Sequence, residues 1–299
     1  MQVNHVEAVS KMQHYIHEHI EMKITLNDLA SVANYSPFHA AKIFKEVTGI
    51  NPFDYIRRLR LTHAAKILRD QDVHILDVAL DFVFDSHEGF TRAFTKRFGI
   101  SPKRYQQNPK PVKWFTPYHA SLSQTKSERK DDLMNEEKVF TIFTQVIERP
   151  ERKAIILRGK KARDYFAYCD EVGCDIYGLL LSVKEALYEP VGMWLPKKLI
   201  KPNTSEYVHG VEVPIDYNGE IPEGCALITL EAQSYLVFQS EPYDDENFED
   251  YISKSWQAIK KYDPIIYGYE FDYDNAPKAQ LEPQGYRGYI EMHPIKSIK

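Results

Sequence analysis

Within its first hundred or so residues the chain carries one pattern twice. TLNDLASVANYSPFHAAKIFKEVTGINPFDY occupies residues 25–55, and HILDVALDFVFDSHEGFTRAFTKRFGISPKRY occupies residues 74–105. Asp28 and Ala30 correspond to Asp77 and Ala79 at an offset of 49, and Ser36, Phe44, Gly49, Ile50, Pro52 and Tyr55 correspond to Ser86, Phe94, Gly99, Ile100, Pro102 and Tyr105 at an offset of 50. The one-residue slip falls between the two helices of each copy, where a turn absorbs it. Two copies this far apart are too few for a stacked solenoid. They suit two helix–turn–helix units that place two recognition helices on one face of DNA.

The local signals agree with that plan. Val6, Val9, Met12, Ile16 and Ile20 follow a helical period. Thr25 with Asp28 three residues on forms a capping box that opens a short helix. Asn34-Tyr35 is the turn, because asparagine tolerates the left-handed conformation. Ser36-Pro37 starts the next helix and Gly49 closes it. Asn51-Pro52 then starts a helix to about Arg69, a rigid spacer of about 27 Å between the copies.

Charge divides the chain. Residues 1–110 hold 15 Lys/Arg against 12 Asp/Glu and eight of the eleven histidines, whereas residues 136–299 hold 19 Lys/Arg against 28 Asp/Glu. A basic half suits a polyanion and an acidic half suits cationic or neutral ligands. No run of eighteen apolar residues predicts a membrane span. Cys169, Cys174 and Cys225 lack metal-ligand or paired spacing, so a reduced, cytoplasmic protein without cofactor or metal is expected.

The expected domains are residues 1–107, a linker over 108–137 in which Trp114 and Phe115 dock against one domain, and residues 138–299. After Val139 the texture turns to short β-like runs: VFTIFTQVIE, KAIILRG, EYVHGVEVPI, CALITLEA, SYLVFQSEP and RGYIEMHPIK. Two segments read as helices, YFAYCDEVGCDIYGLLLSVKEAL and ENFEDYISKSWQAIKKY. The fold class is therefore multidomain, all-α followed by α+β.

On the first recognition helix Ala40, Ile43, Phe44 and Val47 form the expected buried stripe, leaving Phe38, Ala41, Lys42 and Lys45 outward. On the second, Phe90, Ala93, Phe94 and Phe98 face inward and His87, Glu88, Thr91, Arg92 and Thr95 outward. Arg92 suits guanine and Glu88 a cytosine amine. Lys45, Lys96, Arg97 and Lys103 read as phosphate contacts, which position without specifying. With FTRAFTKRFGISPKRY as its clearest signature, residues 7–107 resemble the DNA-binding domain of AraC/XylS-type transcription regulators. That resemblance implies seven helices, base-reading positions at Phe38, Ala41, Lys42, His87, Glu88 and Arg92, and promoter DNA and RNA polymerase as partners. It also expects a glycine at each turn, where this chain has Asn34 and Val83. Valine resists positive φ, so the second turn is expected to be remodelled or strained.

In the acidic half, Trp194, Tyr207, Glu212, Trp256, Glu270 and Glu282 are the candidate lining of an effector pocket. Aromatic faces attract cations, and a partly buried carboxylate supplies the countercharge. EYVHGVEVP, PEGCALITLEAQSYLVFQ, a Trp-bearing helix and LEPQGYRGYIEMHPIK resemble in their order the GyrI-like (SHS2-type) effector-binding domain. This implies two pseudo-repeated strand–helix–strand units around a ligand cleft, with Glu282 as the matching glutamate. The expectation is a ligand-sensing transcription regulator rather than an enzyme, its effector small and amphipathic, with a lipophilic cation as the favoured class. The alternative is a GyrI-like hydrolase or sequestering protein for small xenobiotics.

Overall fold

The computed structural model describes residues 3–117, 140–173, 175–244 and 247–298, and the chain divides into two compact units at Arg129/Lys130. The first unit is helical: α1 (Val3–Glu18), α2 (Leu26–Ala33), α3 (Pro37–Thr48), α4 (Pro52–Asp70), α5 (Ile75–Asp81), α6 (His87–Phe98) and α7 (Pro102–Gln107). α1 buries Val6, Val9, Met12 and Ile16 along one stripe, with Ile20 buried just beyond its end. Arg60 of α4 caps that end, its Nε and Nη2 donating to the carbonyls of Ile20 and Met22 at 2.9 and 2.5 Å.

The helix starts follow the chemistry of their first residues. Thr25 and Asp28 satisfy each other's backbone donors, and Ser36, Asn51 and Ser86 each accept an N–H from the first turn they precede. α3 and α6 both end on a glycine in the left-handed region. α4 lies between the two copies, packing against α3 on one side and against α5, α6 and α7 on the other. Residues after α7 continue on this unit. Trp114 is buried beneath the Arg69 guanidinium at 4.7 Å, and the Phe115 N–H donates to Thr62 Oγ1 at 2.8 Å.

The second unit comprises β1 (Ile142–Arg149), β2 (Arg152–Arg158), α8 (Tyr165–Val172), α9 (Ile176–Leu181), β3 (Val191–Trp194), β4 (Tyr207–Val213), β5 (Ala226–Leu230), β6 (Gln233–Ser240), α10 (Phe248–Lys261), β7 (Tyr269–Phe271), β8 (Lys278–Leu281) and β9 (Ile290–Ser297). All pairings are antiparallel, in the order β1-β6-β9-β8-β3-β4-β2-β5, with β7 on β9. The order reads alike from both ends about the β3–β8 pair. Moreover, Arg149 pairs with Gln233 and Arg152 with Leu230 in one unbroken register. β1 and β2 are thus two lengths of one bent strand, as are β5 and β6, and the sheet curls round to meet itself.

Strand alternation then assigns every side chain a face. On β4, Val208 points into the curl with Ile156, Met193 and Met292, while Tyr207, Val211 and Val213 point outward beneath α8 and α9. α10 covers Leu236, Phe238 and Ile295 on the corresponding outer face of the other half. Arg152, 1% exposed, lies inside: its guanidinium pairs with Glu212 at 2.8 Å and donates to the carbonyls of Pro150 and Glu231, one at each strand bend.

The single long helix expected around residues 165–187 is two short ones, broken where Gly173 adopts φ 95°. β3, β7 and β8, of four, three and four residues, were not foreseen as strands, because runs that short carry no readable alternation. Cys174 lies outside the described residues.

Candidate nucleic-acid interface and ligand recess

The recognition helices keep their aromatic and aliphatic stripes inward. Ala40, Ile43 and Phe44 of α3 are buried, as are Phe90, Phe94 and Phe98 of α6, while Val47 and Ala93 are half-buried. Phe38 stands 81% exposed at the start of α3. Lys42 and Lys45 are exposed beside it, and Ala41 is half-buried between. On α6, His87, Glu88, Arg92, Thr95 and Lys96 are exposed, as is Lys103 on α7. Lys42 Nζ stands 3.8 Å from Glu46, a weak exposed contact that a phosphate can displace. Arg97 is half-buried and its Nη2 donates to the Lys113 carbonyl at 3.2 Å, which ties the segment after α7 to α6. Sequence periodicity could not show this, because the acceptor lies sixteen residues away in an irregular segment.

The two turns preceding these helices differ in residue but not in conformation. Asn34 sits at φ 56° and Val83 at φ 58°. Both residues close their turn in the same way, the following N–H returning to the carbonyl of Ala30 or Ala79 at 3.0 and 2.9 Å. The backbone is therefore conserved between copies although the second has a β-branched residue in the left-handed region.

In the second unit, the candidate lining separates. Glu212 and Tyr207 are five residues apart on β4 and so lie on opposite faces, Glu212 inward on Arg152 and Tyr207 outward. Glu270 is an exposed cross-strand partner of Lys296, at 3.0 Å. Glu282 follows β8 rather than lying in a strand; its carbonyl accepts from Arg287, and its carboxylate bonds Tyr177, whose hydroxyl burial first and then Glu282 push up. None of the three glutamates lines the recess described below. Trp194, Tyr207 and Trp256 do lie near one another, around a carboxylate the sequence reading passed over.

That carboxylate is Glu291, on β9 and 1% exposed. Its Oε1 accepts from the Tyr289 hydroxyl at 2.6 Å and from the Trp256 indole at 2.8 Å. Its Oε2 accepts from His293 Nε2 at 2.9 Å, and Lys278 Nζ lies 3.4 and 3.3 Å from the two oxygens. The Tyr273 hydroxyl lies 2.7 Å from His293 Nδ1; a neutral ring whose Nε2–H faces Glu291 accepts there from the phenol. Burial alone would raise the Glu291 carboxyl, but the His293 hydrogen bond and the Lys278 ammonium outweigh it and hold the acid well below the usual range. Burial lowers His293, against the pull of Glu291.

Strand register builds the neighbourhood. Trp194 lies directly opposite Tyr207 on β4 and Lys278 on β8, so the three side chains form a row across adjacent strands. The Lys278 ammonium sits 3.8 Å from the Trp194 ring centroid, and Trp194 meets Tyr207 edge-on at 4.8 Å. Gly192 in the next row permits this, since a methyl there would run into the Tyr207 hydroxyl. Beside this row a recess of about 300 Å³ is lined by Trp256, Tyr262, Phe271, Tyr273, Lys278, Glu291 and His293, together with Ile259 and Lys260. The overlooked signal was the alternation Tyr289, Glu291, His293, three polar side chains in step as the chain enters β9.

Two copies of a turn-linked helix pair on either side of one central helix define a double helix–turn–helix protein. A helix-turn-helix domain family matches residues 29–108. Over 104 residues the chain is 36% identical to the Transposon Tn10 TetD protein of Escherichia coli, covering 35% of this chain and 75% of that protein. Over 95 residues it is 40% identical to the Right origin-binding protein of Escherichia coli (strain K12), covering 32% of this chain and 33% of that protein. The chain thus spans about a third of the length of the latter relative. A crystal structure of an AraC-type transcriptional regulator from Chromobacterium violaceum matches 34% of this chain and 95% of that one, at 23% identity and a TM-score of 0.33. The protein belongs to the AraC family of helix–turn–helix transcription regulators.

Proposed function

We propose that this protein is a sequence-specific DNA-binding transcription regulator whose second unit, a GyrI-like effector-binding domain, binds a small amphipathic molecule. The observation that carries the DNA reading is the matched presentation of α3 and α6. Each is capped by a serine, each buries an apolar stripe, and each leaves its first turns exposed. α3 offers Phe38, Ala41 and Lys42, which favour apolar contact with a thymine methyl and one cationic contact; α6 offers His87, Glu88 and Arg92, which favour hydrogen-bonded reading of base edges. Lys45, Lys96 and Lys103 supply phosphate contacts. RNA polymerase is the further partner this role implies.

The effector reading rests on the recess at Glu291. A buried, charged carboxylate crossed by an indole that is 45% exposed is an expensive arrangement for packing alone and a common one for ligand capture. Selection of bound sequences from a random duplex pool, followed by anisotropy titration of the full chain across salt, tests the first part. A preferred site bound at least about a thousandfold over random duplex is expected; equal affinity for all sequences at every salt would remove the DNA-reading role.

A further inference from the structure

The recess at Glu291 already contains a cation, and it belongs to the chain. A carboxylate offers about four lone-pair sites. Those of Glu291 are met by Tyr289, Trp256, His293 and Lys278. The aromatic face beside the recess, that of Trp194, is covered by the same Lys278 ammonium at 3.8 Å. Trp194 is fixed in that position, its indole N–H donating to the Arg163 carbonyl at 2.8 Å. Lys278 thus satisfies at once the two features that attract a lipophilic cation, a desolvated carboxylate and an electron-rich ring. Lys260 also lines the recess, so the described titratable groups there are two ammonium groups, one carboxylate, the neutral His293 and the tyrosines Tyr262 and Tyr273.

We infer that Lys278 is the specificity-determining residue of this site, a tethered cation that excludes monocationic ligands and selects amphipathic molecules bearing a neutral or anionic hydrogen-bond acceptor. This rests on the reading of the recess as a ligand site and replaces the cation favoured from the sequence. A free cation would have to displace an ammonium held at high effective concentration by its own backbone, or sit beside it uncompensated. An acceptor needs no displacement. It can take an N–H of Lys278 while its aromatic body lies against Trp256, Tyr262 and Phe271. At about 300 Å³ the recess is at the small end for ligand pockets, which span roughly 300–1,000 Å³, and so suits a body of one or two fused rings.

The test is calorimetric titration of the full chain with three probes that share one ring system: naphthoate, acetylnaphthalene and naphthyltrimethylammonium. The unaltered protein should bind naphthoate and acetylnaphthalene at least roughly tenfold more tightly than the ammonium. Lys278→Met should reverse the order, raising ammonium affinity by roughly tenfold and weakening naphthoate. Lys278→Gln keeps a donor without the charge, should also admit the ammonium, and serves if the methionine variant does not fold. Preference of the unaltered protein for the ammonium, or a probe order unmoved by both variants, would overturn the role of Lys278 while leaving the ligand site standing. Binding of all three probes that survives Trp256→Ala unchanged, or no binding of any probe to any of these proteins, would take down the ligand-site reading and this inference with it.

Discussion

In the first helix–turn–helix unit, Thr25 and Asp28 cap α2 reciprocally and Asn34 occupies the left-handed turn, a conformation asparagine adopts readily. In the second, His74 gives α5 no side-chain cap and Val83 is held at φ 58°. The backbone at the two turns is nonetheless the same. What holds the second copy is an aromatic chain: Phe84 on Phe90, Phe90 on Phe94, and Phe94 on both Phe98 and Tyr105, with centroids 4.7–5.7 Å apart. The first copy has one such contact around its equivalent core residue, Phe44 with Tyr55 at 5.2 Å. One copy is specified by its local sequence; the other has its shape imposed by packing. The copy under strain is also the one presenting the hydrogen-bonding set His87, Glu88 and Arg92, and tolerated strain next to a functional surface is a known pattern.

This contrast can be broken in four places. Phe94→Ala should cost about 3–5 kcal/mol and exceed the cost of Phe44→Ala, because more rings close on Phe94; urea unfolding of both variants measures it, and equal losses would deny the aromatic chain its special role. Arg92→Ala should lose about 1–3 kcal/mol of discrimination at one base pair, whereas Phe38→Ala should weaken an A·T preference by less. Anisotropy with single-base operator variants reads both, and an unchanged preference after Arg92→Ala would place α6 in another orientation. Exchanging the turn residues should act in opposite directions: Asn34→Val destabilises by about 1–2 kcal/mol and Val83→Asn recovers up to about 1 kcal/mol. If Val83→Asn destabilises, the half-buried isopropyl group matters more than the strain. Smallest, His74→Ser should install the missing capping box with Asp77 and stabilise by about 0.5–1 kcal/mol, seen as a rise in Tm.

The helical unit was largely legible because its instructions are local. Serine before proline, glycine at a helix end and a buried residue every third or fourth position act within one turn of helix. The bond from Arg97 to the Lys113 carbonyl was hidden for the opposite reason, its acceptor being supplied by a segment without periodicity. In the second unit most long strands were visible from composition, but β3 and β8, which carry Trp194 and Lys278 into register, were too short to see. Glu282 was the glutamate that the GyrI-like resemblance implied, and Glu291 was not legible as a site residue because sequence alone does not say which face of a strand is covered. That depends on β6, β8 and α10, all contributed from elsewhere in the chain. Glu212 was separable from Tyr207 in principle, since residues an odd number apart on one strand face opposite ways.

Because residues 142–156 pair with 226–240 as one ribbon, neither half of the curled sheet can be finished alone. The turns, α8, α9, β3 and β4 all intervene between the two sides of that ribbon, so its closure must wait on a long loop of chain. Pairings between distant residues make folding slow, while helical units with neighbouring contacts fold fast. The tryptophans divide along the same line, Trp114 in the helical unit and Trp194 and Trp256 in the sheet unit. On dilution from denaturant, Trp114 should therefore reach its native emission well ahead of the other two, and a newly unfolded molecule would regain its DNA-facing surface before it regained the recess.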